Sequence, residues 1–129
     1  MAALVQDETL LRGDTNVLVV TVTNLPAGGL GAYGAIAFTA KRDISDSDAA
    51  AFISLSLASG VVITTNGGTG VDGVLTITLP AASTAALPSY DTQLAYDVQV
   101  TDTGTNPATV HTVAQGVLTV TADVTQSIL

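Results

Sequence analysis

The sequence predicts an all-β protein: one domain over residues 1–129, built as a single antiparallel β-sandwich with one or two short helical turns. Three observations point there. Threonine is abundant and valine and isoleucine sit close beside it, and these β-branched side chains keep good rotamers on a pleated surface but lose freedom in a helix. Several segments alternate apolar and polar residues with period two, which marks strands with one buried face. Turn residues separate these segments every ten to fifteen residues or so, the spacing of short strands in a sandwich or barrel.

A short lead, residues 1–6, precedes the first element. Val17 to Thr23 (VLVVTVT) is the first clear strand, closed by Leu25-Pro26-Ala27-Gly28-Gly29. Ala35 to Lys41, Phe52 to Leu57 and Val61 to Thr65 are weaker strands. Asn66-Gly67-Gly68 and Asp72-Gly73 are turn signals, because Gly and Asn tolerate positive φ. Val74 to Leu79 then places Leu75, Ile77 and Leu79 on one face. Leu94 to Val100 does the same with Leu94, Tyr96, Val98 and Val100. Asp102 to Pro107 reads as a hairpin loop, His111 sits in a strand start at Ala108 to Val113, and Gly116 to Ala122 is the last strong strand. Residues 126–129 are expected to fray. The helical turns belong near Asp46 and Ala81, where Asp43 to Ala51 and Pro80 to Leu87 break the alternation. The expected core is Leu18, Val20, Val22, Ile36, Phe38, Ile53, Leu55, Leu75, Ile77, Leu79, Tyr96, Val98, Val100, Leu118 and Val120.

Composition excludes several kinds of chemistry. With no cysteine, disulfides, zinc-thiolate sites and thiol nucleophiles are impossible. The net charge of −8 comes from three cations, Arg12, Lys41 and Arg42, against eleven carboxylates. A nucleic-acid binder needs a basic stripe to displace phosphate counterions, and anionic lipid is repelled in the same way. No run approaches the roughly 20 apolar residues of a membrane span, and residues 1–14 lack the basic and apolar regions of a secretory signal. Neither nucleic acid nor membrane is therefore expected as a partner. The chain reads as a product of the cytoplasm.

The motif-like strings fail on context. Gly68-Thr69-Gly70-Val71-Asp72-Gly73 spells G-x-G-x-x-G, but a dinucleotide fingerprint needs a helix after it, and a strand follows here. It reads as a surface loop. Arg12-Gly13-Asp14 spells an integrin-type tripeptide; a turn into the next strand, capped by Asp14 or Thr15, suits it better. Asp43, Asp46 and Asp48 lack the glycine and late glutamate of a calcium loop. His111 is the single histidine, and Ser54, Ser56, Ser59, Ser83, Ser89 and Ser127 all lie outside a G-x-S-x-G elbow. With no Trp, a catalytic cleft with aromatic walls for a sugar is not expected either. No catalytic, cofactor-binding or metal residue is nominated, and the chain is expected not to be an enzyme.

One ordered set of landmarks goes further. Arg12-Gly13-Asp14-Thr15 is followed by Ala35 to Asp43 (AIAFTAKRD), then Asp72-Gly73 before a strand. Leu94 to Val100 (LAYDVQV) comes next, then Gln115 to Val120 (QGVLTV) and Asp123-Val124-Thr125. From Thr9 to Thr125 this order resembles the Ig-like β-sandwich module of tailed-phage virion proteins, of the baseplate upper protein N-terminal domain and tail-fibre adaptor type. Tyr96-Asp97-Val98-Gln99 is its most telling part. The stretch from Pro80 to Tyr96 is also similar to the E–F corner of Ig-like domains, where a tyrosine hydroxyl bonds to nearby backbone.

The resemblance implies a non-enzymatic bacteriophage virion structural protein of the tail or baseplate. Such a protein docks onto other virion proteins in multiple copies, as a symmetric homo-oligomer in the particle, after assembly in the bacterial host cytoplasm. It carries over no site residues, since the pattern is a fold signature. Family members often continue into a fibre or second domain, whereas this chain ends soon after Thr125, so a free-standing module is expected. The alternatives are a capsid decoration protein that stabilises the head, and a receptor- or glycan-binding module.

Overall fold

A computed structural model describes residues 4–42, 45, 51–85, 92–104 and 106–121. The expectations for a helical turn near Asp46, for the Asp43, Asp46 and Asp48 cluster, and for the tail at 126–129 lie outside these residues, as do Ser89 and Ser127.

The described chain is predominantly β. Its strands are β1 (Leu4–Val5), β2 (Glu8–Leu11), β3 (Asn16–Val22), β4 (Ala35–Lys41), β5 (Ile53–Leu57), β6 (Gly60–Thr65), β7 (Gly73–Leu79), β8 (Thr92–Asp102) and β9 (Thr109–Thr121). A 3₁₀ turn spans Gly29–Ala32, and one short helix, α1, spans Ala81–Ala85 between β7 and β8. All nine strands join one sheet in the order β1-β9-β8-β4-β5-β6-β7-β3, with β2 also on β9. The sheet is nearly closed into a barrel. The remaining gap lies between β2 and β3, where the Gln6 Nε2 donates to the Val19 carbonyl at 3.2 Å.

Pairing is mainly antiparallel, but two contacts correct the expectation of a purely antiparallel arrangement. Leu4 to Leu11 runs parallel to β9, with Leu4 opposite Ala114 and Leu11 opposite Thr121. Its apolar stretch is too short for period two to reveal, so no strand was expected there. The second parallel contact joins β5 to β6 through Ser56–Gly60 and Leu57–Val61. Only Ala58 and Ser59 separate these strands; Ala58 (φ 65°) and Gly60 (φ 102°) turn the chain sideways, so its direction is kept. One strand thus leaves β4 as its neighbour and joins β7.

Alternation decides what lies inside. β3 buries Leu18, Val20 and Val22, and β7 buries Leu75, Ile77 and Leu79. β8 buries Leu94, Tyr96, Val98 and Val100. Every expected core residue is buried except Leu55, which packs against the core while partly exposed. The structure adds Leu10, Leu25, Leu30, Ala40, Val61, Leu94, Val113 and Ala114. Phe52 falls outside its expected strand; it is exposed, and the Arg42 guanidinium lies 5.9 Å over its ring.

Candidate functional site

Three surfaces are candidate sites. The first is a cleft of about 480 Å³ on the outer side of β4, β8 and β9, beside the N-terminal strand. Lys41, Asp97, Gln99 and Gln115 reach it from the solvent-facing positions of these strands, and Asp7 and Tyr96 also line it. The N-terminal segment beside it is held by close backbone approach. Gly116 leaves room for the Gln6 carbonyl, which accepts the Tyr96 hydroxyl. Gln6 N–H donates to the Gln115 carbonyl at 2.9 Å, and Asp7 Oδ1 accepts the Val117 N–H at 3.0 Å. The Tyr96 ring stacks on Phe38, with centroids 5.5 Å apart.

These contacts change the reading of Tyr96. Its hydroxyl reaches a carbonyl 90 residues away in sequence, so it pins the N-terminal segment and does not form the local tyrosine corner. Burial, followed by the Glu8 and Asp7 carboxylates, pushes its phenol up to about 12. A folded-state value above the unfolded value of about 10 stabilises the fold below pH ~10, and that contribution disappears as pH rises toward about 12. Alkaline titration of urea unfolding should show a fall in stability across this window, and Tyr96→Phe should flatten it.

The second surface surrounds His111, in a more open depression of about 430 Å³ lined by Asn24, Leu25, Pro26, Ala32, Tyr33, Asp102 and His111. Burial and the Asp102 carboxylate raise the Tyr33 phenol. No serine lines the depression among the described residues, so the nucleophile–base pairing weighed for His111 is not assembled there. No group of three His, Asp or Glu side chains is placed to hold a metal ion among those residues.

The remaining motifs have structural roles. Gly68 and Val71 exchange backbone hydrogen bonds at 2.9 and 3.0 Å, so the G-x-G-x-x-G string closes a turn that leads into β7. In Arg12-Gly13-Asp14, the guanidinium donates to the Ala85 carbonyl at 2.7 Å, at the end of α1. The buried Thr84 hydroxyl donates to the Asp14 carbonyl at 2.6 Å. The tripeptide therefore fastens the β2–β3 turn to α1. No helix among the described residues is long and apolar enough to cross a membrane.

The third surface is the outer face of β6, β7 and β3. Val17, Val19 and Thr21 point outward from β3, opposite Thr78, Thr76 and Val74 of β7. Val62 of β6 also lies opposite Thr76. The central row therefore reads Val62–Thr76–Val19, with a 2.5 Å hydrogen bond between the Thr64 and Thr76 hydroxyls beside it. Val17, Val19 and Val62 are 55 %, 53 % and 56 % exposed. None of these outward residues is ionisable, and the Glu8 carboxylate stands at the edge of the face, joined through the Gln6 amide to the Val19 carbonyl.

Comparison with protein-family models and with curated proteins finds no match to this chain. The functional reading therefore rests on these surfaces and on the order of the sequence landmarks.

Proposed function

We propose that this chain is a non-enzymatic structural module of a bacteriophage virion, in the tail or baseplate, with an Ig-like β-sandwich fold. It docks in multiple copies through a sheet face. The observation that supports docking most directly is the row of half-exposed valines on β3 and β6, set in threonine with no charge. Apolar side chains gathered on one face favour protein contact, because burying them removes apolar area from water. Valine and threonine are short and stiff, so ordering them costs little side-chain entropy. The virion assignment is supported by the landmark order from Arg12 to Thr125, and the β-rich fold is compatible with it.

Mass spectrometry of washed particles of the encoding phage tests this reading. The protein is expected at fixed stoichiometry; its absence from particles, while it accumulates in infected cells, would overturn the assignment. On the order of a dozen copies or fewer would fit a tail ring, whereas hundreds would favour head decoration.

The cleft beside Tyr96 favours a second reading, a receptor- or glycan-binding module. Asp97, Gln99 and Gln115 offer the carboxylate and amide groups that bind sugar hydroxyls. Saturable binding of host-envelope glycans that is lost in Gln99→Ala would favour it.

A further inference from the structure

We propose that the face formed by β6, β7 and β3 is a self-association surface, on which a second copy of this chain seats its own identical face across a twofold axis. This rests on the docking reading of the same face and names its occupant.

Charge is the first argument. Two copies of a chain with net charge −8 repel each other over most approaches. In a twofold contact the same patch meets itself, so a carboxylate near its centre would face its own copy. The outward positions of this face, Val17, Val19, Thr21, Val62, Thr64 and Thr76, hold no ionisable group. By contrast, the outer side of β4, β8 and β9 carries Lys41 and Asp97. A basic partner would be drawn to carboxylates, and this face has one only at its edge, where the Gln6 amide joins the Glu8 carboxylate to the Val19 carbonyl.

Shape is the second. The central row is a palindrome, valine–threonine–valine, across three neighbouring strands. If two such faces are laid together about either in-plane twofold through Thr76, valine falls on valine and Thr76 on Thr76. Each Thr76 hydroxyl, already bonded to Thr64, keeps an acceptor lone pair at that crossing, and its proton is also available where Thr64 is the donor. Aligned sheets pack face to face at about 10 Å, a spacing that short side chains of this size fill.

Area sets the strength. Three strands at about 4.8 Å spacing and about seven residues long offer a face of roughly 14 by 23 Å, or on the order of 300 Å². A standard stable interface covers about 800 Å² per partner, so an isolated pair should associate weakly, with half-association roughly between 0.1 and 1 mM. Many such contacts in a repeated array would add.

Sedimentation velocity of the full chain from about 10 µM to about 1 mM tests this. The weight-average sedimentation coefficient of the wild type is expected to rise with concentration. Val19→Glu and Val62→Glu should each weaken association by roughly tenfold or more, since each places two carboxylates at the contact. Val110→Glu, at an exposed valine of β9 away from the face, should leave it unchanged. A mixture of Val19→Glu with Val62→Lys or Val19→Lys should associate better than either variant alone, which only a contact between copies explains. Circular dichroism and melting confirm folding; if Val19→Glu does not fold, Val62→Glu and its mixtures decide. A coefficient that stays constant to about 1 mM, or a Val62→Glu variant that associates like wild type, overturns the proposal. If copies do not associate, yet Val62→Glu is excluded from particles that incorporate wild type, the face docks a different virion protein. The self-contact is then wrong and the docking reading stands.

Discussion

Phe38→Ala should cost this protein about 3–5 kcal/mol, the range for a buried phenylalanine truncated to alanine. Phe38 is fully buried on β4, between neighbours β5 and β8, and its ring stacks on Tyr96 at 5.5 Å. Truncation leaves a cavity under the cleft that the stiff sheet on either side cannot close. It also removes the stacking partner that orients Tyr96, whose hydroxyl holds the Gln6 carbonyl. Domains of this size are stable by about 5–15 kcal/mol in total, so the variant should unfold at markedly lower urea concentration with a similar slope. Phe38→Leu should be milder, at about 1–1.5 kcal/mol, because most of the volume is kept. A Phe38→Ala midpoint within experimental error of wild type would show that this ring is not central to the core.

Gly116→Ala should be the most damaging of the small substitutions, at about 2–3 kcal/mol. Conformation is not the difficulty, since Gly116 does not adopt positive φ. Space is. A Cβ there would run into the Gln6 carbonyl, with Asp7 Oδ1 only 3.0 Å away. The obstacle is backbone, which cannot rotate aside as a side-chain tip can. The expected outcome is that the segment Leu4 to Leu11 lifts from β9. Gln6 and Asp7 then lose their bonds to Gln115 and Val117, and Leu10 is exposed. Hydrogen exchange should rise selectively at the amides of Gln6, Arg12 and Val117. Gly104→Ala is the control: its Cβ would meet only the Asp102 carboxylate, at 3.2 Å, and little change is expected.

Much of the fold could be read from side chains alone. In β7 and β8, apolar residues at every second position separate inside from outside without any knowledge of neighbours. The Asp102 to Pro107 hairpin was legible for the same reason, as turn residues between two alternating runs. β9 was read only in pieces, because Ala114, Gln115 and Gly116 interrupt the alternation within one strand of 13 residues. The docking face was legible in part. Val17 to Val20 is apolar at every position, but Thr21 and Thr23 carry the alternation that puts Leu18, Val20 and Val22 inside and leaves Val17 and Val19 outside; the run does not show that Val62 joins them. The role of Thr84 was hidden too, since nothing local ties it to Asp14, 70 residues away.

The amino-acid sequence by itself determined the β class, most of the buried set, the absence of thiol chemistry and the acidic charge, because each depends on residue type or on a period of two residues. Tertiary structure alone decided that β1 and β2 run parallel to β9, that one strand changes neighbours at Ala58–Gly60, and that Val62, Thr76 and Val19 form one row. Those outcomes depend on which backbone groups meet across long sequence separations. Alternation specifies which side of a strand is apolar, but it leaves open which strand lies beside it.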